Sequence, residues 1–138
     1  MKTPAEARMF TLEEAENLLP QVAELTGRYE KEVSDLQQAM EGGELPQAKQ
    51  REVMLEIDRR VNAWAHEISR LGAEVKGLWL VDFDSGDGFF YCWKFGEEKI
   101  GFMHPYEGSF SERRPVWRKG EGRAEAEGKE AGEDTASA

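Results

Sequence analysis

The stretch from Leu78 to His104, LWLVDFDSGDGFFYCWKFGEEKIGFMH, constrains the fold of this chain more than any other. Phe89, Tyr91, Trp93 and Phe95 alternate with smaller or polar residues, which is the period of a strand with one packed face. Asp84-Ser85-Gly86-Asp87-Gly88 and Gly96-Glu97-Glu98 carry turn chemistry on either side. The pattern predicts a three-stranded antiparallel meander with strands near 78–83, 89–95 and 99–104. Register follows the buried face. If Trp93 faces Ile100 or Phe102, the aromatic face continues through Ile100, Phe102 and His104, with Trp79, Val81 and Phe83 joining it from the first strand. If Trp93 faces Gly101, large apolar residues point both ways. The first register is the expectation, and it sends Cys92 and His104 to opposite faces of the sheet.

Everything before this stretch reads as helix. Thr11 followed by Glu14 forms a capping box, and Phe10 occupies the staple position before it. Apolar residues then recur at Ala15, Leu18, Leu19, Val22, Leu25, Tyr29, Val33, Leu36 and Met40, the stripe of an amphipathic helix. Pro20 lies inside it and removes one backbone donor, so a kink or a break is expected there. Glu41-Gly42-Gly43-Glu44 ends this helix. A second runs from about Pro46 to about Leu71 or Lys76. Met54, Ile57, Val61, Trp64, Ile68, Leu71 and Val75 form its heptad seam, read as an interaction seam. Two stripes and a short loop predict an antiparallel helical hairpin packed on the meander. Leu55, outside the seam, widens the apolar surface, so a second copy of the hairpin is a further candidate partner.

The expected fold class is therefore α+β, with one compact domain over residues 1–118. The hairpin covers about 11–76, the meander about 78–104, and an irregular aromatic segment 105–118 folds back over the sheet. Residues 119–138, rich in Gly, Ala, Glu and Lys without an apolar period, read as a disordered acidic tail. A net charge of -10 argues against nucleic acid and anionic membrane as partners. No run reaches the roughly 18 apolar residues of a membrane span. The single cysteine, Cys92, excludes an internal disulfide framework. With no apolar signal segment at the start, that fits a cytoplasmic location.

Two separated motifs carry a family resemblance. Phe10-Thr11-Leu12-Glu13-Glu14-Ala15 with Leu18-Leu19-Pro20 resembles the opening of the bacterial family called domain of unknown function 2203. Leu80-Val81-Asp82-Phe83, Cys92-Trp93, Gly96-Glu97, His104, Arg113 and Pro115 resemble its second half. Asp84 and Ser109 depart from it, standing where the family pattern implies proline and glycine. The resemblance spans Phe10 to about Trp117 and implies no activity.

Cys92, His104 and His66 are the metal-ligand types outside the carboxylates, but the preferred register separates the first two, and His66 lies off the seam. A softer cluster is expected at the loop end of the sheet, where Asp82, Asp84, Asp87, His104 and Glu107 gather as candidate ligands for a divalent metal. Good turn chemistry with a hydrogen-bonded strand-end histidine explains the same residues without a metal. Glu97 reads as a turn residue, and Arg113 and Arg114 as ion-pair partners for carboxylates. There is no nucleophile elbow, phosphate-binding loop, zinc-protease helix or dinucleotide fingerprint. These features favour a non-enzymatic interaction module without a cofactor, a homodimer or a complex with another protein through the hairpin. The alternative is a metal-binding protein or metal-dependent enzyme using the carboxylate and histidine cluster.

Overall fold

A computed structural model describes residues 8–108 and 110–116. The helices come first: α1 spans Leu12–Glu41 and α2 spans Gln47–Arg70. Thr11 caps α1 with both halves of the capping box formed, and α1 ends at Gly42 and Gly43, the latter in the left-handed region. The helix continues through Pro20 without a break. Five strands follow: β1 (Glu74–Gly77), β2 (Leu80–Asp84), β3 (Phe89–Lys94), β4 (Phe102–Pro105) and β5 (Arg114–Pro115), with a single 3-10 turn at Phe110–Glu112 before the last. They form one antiparallel sheet in sequence order. The expected acidic tail and Trp117 lie outside the described residues.

The sheet has five strands where three are expected, and both additions have local causes. Gly72, at φ +96°, ends α2 in the left-handed conformation that follows many helix C-termini. The chain then turns into β1, so Val75 and Lys76 belong to the sheet and not to the second helix. A two-residue turn, Leu78–Trp79, joins β1 to β2. Trp79 sits there at φ +61°, a conformation that costs about 1 kcal/mol or more for a non-glycine residue. Its ring packs edge-on against Trp64 at 4.8 Å, and its carbonyl accepts from the Phe95 amide at 3.0 Å. At the other edge, the return segment after His104 pairs Arg114 and Pro115 with Met103 and Phe102, so part of the expected irregular segment is strand.

The register between β3 and β4 also differs from expectation. Cys92 pairs with Phe102, Tyr91 with Met103 and Phe90 with His104. Large apolar residues therefore point to both faces, because both faces are covered. On the helix side, Val81, Phe83 and Trp93 join Phe10, Ala15, Leu19, Val22, Leu25, Trp64 and Ile68 in one buried core. Ile100 also belongs to that core, and it lies before the regular pairing of β4, which begins at Phe102. On the far side, Phe90 and Phe102 are screened by cations: the Lys76 ammonium lies 4.1 Å from the Phe90 ring centroid, and the Arg113 guanidinium 4.0 Å from that of Phe102. Cys92 and His104 share this far face, which corrects the expectation that they point apart.

The core takes up only half of the hairpin. Trp64 and Ile68 of the predicted interaction seam are fully buried in it, and Val61 and Leu71 pack against it. Between Ser34 and Ala63 no residue is fully buried, so the helix ends joined by the Gly42-Gly43 turn form an arm beyond the sheet. Met54 and Leu55 are on this arm and exposed, with Ile57 half-buried. Polar contacts tie the two helices together where apolar ones thin out: Tyr29 to Glu67 at 2.6 Å, and Arg60 to Glu32 at 2.8 Å.

At the start of the arm, the Trp64 Nε1–H donates to Thr26 Oγ1 at 2.9 Å, with both residues fully buried. Thr26→Val keeps the shape and leaves that donor without its acceptor. Stability is expected to drop by about 1–3 kcal/mol. Urea denaturation followed by tryptophan fluorescence should give a lower midpoint with an unchanged slope.

Candidate functional site

The far face gathers three side chains that can bond a metal. Asp82 is the middle residue of β2 and pairs directly with Cys92 on β3. His104 on β4 reaches the same point from two pairs along the ladder, opposite Phe90 and on the same face as Cys92. One ligand atom of each lies within 4.8 Å of the others, and all three residues are buried. They line a cavity of about 210 Å³ together with Lys76, Leu80, Tyr106 and Gly108.

The histidine is held at both nitrogens. Nδ1 faces the Pro105 carbonyl at 3.0 Å, and Nε2 faces Asp82 Oδ2 at 2.7 Å. A carbonyl and a carboxylate oxygen both accept, so a hydrogen on Nδ1 donates to Pro105 and one on Nε2 donates to Asp82. Burial raises the Asp82 pKa, and the charge and hydrogen bond of His104, with a weaker one from the Cys92 thiol, oppose that rise. Asp82 Oδ1 is buried and makes no strong hydrogen bond; the thiol beside the carboxylate is a weak donor. Buried polar atoms so poorly partnered are few in folded proteins.

Burial pushes the Cys92 thiol up to about 12, helped by the nearby Asp82 charge and opposed by Arg113. At neutral pH it is a thiol, and both ring nitrogens of His104 face other partners, the Pro105 carbonyl and Asp82. A cysteine nucleophile activated by histidine therefore does not fit this geometry. A metal ion fits better, because it displaces protons from its ligands, and a histidine whose other nitrogen donates to a backbone carbonyl has the usual orientation of a metal ligand.

Of the predicted ligands, the structure brings Asp82 and His104 together and leaves Asp84, Asp87 and Glu107 out. Asp84 Oδ1 accepts from the Gly86 amide at 2.8 Å and the Tyr106 hydroxyl at 2.6 Å, which is turn chemistry extended to the return segment. Asp87 and Glu107 are exposed. His66 is exposed on α2, off the seam as expected. Glu97 closes the turn after β3 by accepting from the Lys94 amide, and it pairs with Arg113 at 2.8 Å. Cys92 is the ligand type that the expected register excluded. Its signal in the sequence was its two-residue spacing from Phe90 on a strand next to Asp82.

The comparison with known families can be placed on this geometry. The family described as an uncharacterized conserved protein, DUF2203, matches residues 8–116, from the segment before α1 to the end of β5. The chain belongs to that family. No curated protein and no solved structure matches it. All three clustered residues of this DUF2203 member lie inside the matched range, as does the whole sheet. Among the described residues no helix is long and apolar enough to cross a membrane.

His104→Ala tests the pair in the metal-free protein. It removes the two strongest influences holding the Asp82 pKa down, so the carboxyl's folded pKa moves further above its unfolded one. A raised folded pKa favours folding at low pH, and that advantage is lost as pH rises through the folded value. The variant should lose about 3–5 kcal/mol near neutral pH, with a smaller loss in acid, where the folded carboxyl is protonated. Urea unfolding under both conditions reads the difference; an equal loss in each would contradict a raised Asp82 pKa.

Proposed function

We propose that the chain is a metal-binding protein that holds a divalent transition ion, zinc by preference, with Asp82, Cys92 and His104. The observation that carries this reading is the convergence of an oxygen, a sulfur and a nitrogen ligand at one buried point, where the carboxylate has only His104 and a weak thiol donor as partners. The donor set suits zinc, which binds thiolate, imidazole and carboxylate in tetrahedral sites. The metal takes the place of the hydrogen bond between His104 and Asp82. Their 2.7 Å contact then opens to roughly 3.3 Å, the edge of a tetrahedron with bonds of about 2 Å. Three protein ligands leave a fourth position on the cavity side, the arrangement of reactive rather than purely structural zinc sites. Cys92 must lose its proton, so binding releases protons and tightens as pH rises.

Zinc added to the purified, chelator-treated protein should bind one ion per chain and raise the melting temperature. Cys92→Ala, Asp82→Ala and His104→Ala should each weaken binding by about tenfold or more. Wild-type protein that takes up neither zinc, cobalt nor ferrous iron would remove the reading.

A second reading, association of two copies through the helical arm, is favoured by Met54 and Leu55, each more than half exposed on α2. It is compatible with the first. Sedimentation should find a dimer that Leu55→Glu dissociates without lowering the melting temperature. A monomer at every concentration would discard it.

A further inference from the structure

We propose that the cavity beside the metal position binds a small anion, a carboxylate or an oxyanion, held between the metal and Lys76. This deepens the metal-binding reading and rests on it. The cavity contains the three ligand side chains and continues past them to Lys76, Leu80, Tyr106 and Gly108. About 210 Å³ is below the roughly 300–1,000 Å³ of pockets for drug-sized ligands, so the occupant has few heavy atoms.

Charge selects its sign. A divalent ion is balanced by one carboxylate and one thiolate, since His104 binds as neutral imidazole. The remaining charged residue in the cavity wall is Lys76, and its ammonium is oriented by two contacts, the face of Phe90 at 4.1 Å and Glu74 at 3.2 Å. Glu74 offsets part of its charge but does not line the cavity. Tyr106, the other polar group of the wall, is already committed to Asp84 at 2.6 Å. An anion entering the cavity therefore meets a metal with an open position and the Lys76 ammonium in the same wall, with Leu80 as the apolar side chain of the lining. One oxygen completes the tetrahedron; a second accepts from Lys76 Nζ.

Cobalt substitution separates the two claims. The thiolate-to-cobalt charge-transfer band reports the metal on Cys92, and the visible d–d bands report the fourth ligand. Acetate and inorganic phosphate, titrated separately into the cobalt protein, should shift the d–d bands saturably for at least one of them. Lys76→Met should weaken that anion by about tenfold, the loss expected for one charged hydrogen bond, with cobalt affinity unchanged. A charge-transfer band with d–d bands that neither anion moves would overturn the anion site and leave the metal reading standing. Equal anion affinity in Lys76→Met would overturn the role of Lys76. No charge-transfer band at all would sink the metal reading and this inference with it.

Discussion

The pairing of β2 with β3 decides what each face of this protein does. With Val81 opposite Trp93 and Asp82 opposite Cys92, a single ladder sends aromatic and β-branched side chains toward the helices and a carboxylate and a thiol away from them. The helix-facing set meets Trp64, Ile68 and the α1 stripe in one core. Among the described residues the opposite set is covered by the segment after His104, through Tyr106 on Phe90 at 5.0 Å and Arg113 on Phe102. Shifting the register by one residue would exchange the two faces and put Asp82 into the apolar core, so the packing of the helices fixes the geometry of the candidate site.

Much of the architecture is legible in the sequence because it is local. The Thr11–Glu14 capping box, the Gly42-Gly43 stop and the two apolar stripes need no knowledge of what they pack against. β1 is less legible, because Val75 falls on the helical period of Ile68 and Leu71. Gly72 was the contrary signal, and a left-handed residue at that position outweighs one more seam position. β5 has two residues and exists only because β4 offers it an edge. The β3–β4 register differs from expectation for another reason. The rule that apolar residues face the core discriminates only when one face is wet, and here Phe90 is buried and Phe102 half-buried on the face away from the helices.

The expected site gathers five residues at the loop end of the sheet, and of these Asp82 and His104 meet, at 2.7 Å. Asp84, Asp87 and Glu107 lie along the loop and the return segment, where carboxylates have backbone amides close at hand, and Asp84 takes one of them together with a tyrosine hydroxyl. The expected register and the lack of a second cysteine exclude Cys92. On a strand, a residue's neighbours in space are set by its partners across the ladder, so a site built on three strands stays hidden from sequence spacing until the register is known.

Stability alone does not account for the polar residues of the far face. Leu80, Phe90 and Phe102 already give it apolar material, and replacing a buried ion pair with well-packed hydrophobic residues is often neutral or stabilising. An Asp–His pair here stabilises the fold weakly at best, since burial raises the Asp82 pKa against the favourable effect of His104. The buried carboxylate has the Cys92 thiol, a weak donor, beside it, and Oδ1 makes no strong hydrogen bond, a desolvation cost that Leu or Val at position 82 would avoid. The thiol, pushed up to about 12, offers the carboxylate no charge in return. The proposed metal ion would change each of these terms in the same direction: it would bond the carboxylate, take the place of its contact with His104, and make the thiol a ligand thiolate beside Arg113. A polar cluster this unfavourable as packing is the physical ground for seeking the chemistry of this fold on the face away from its helices.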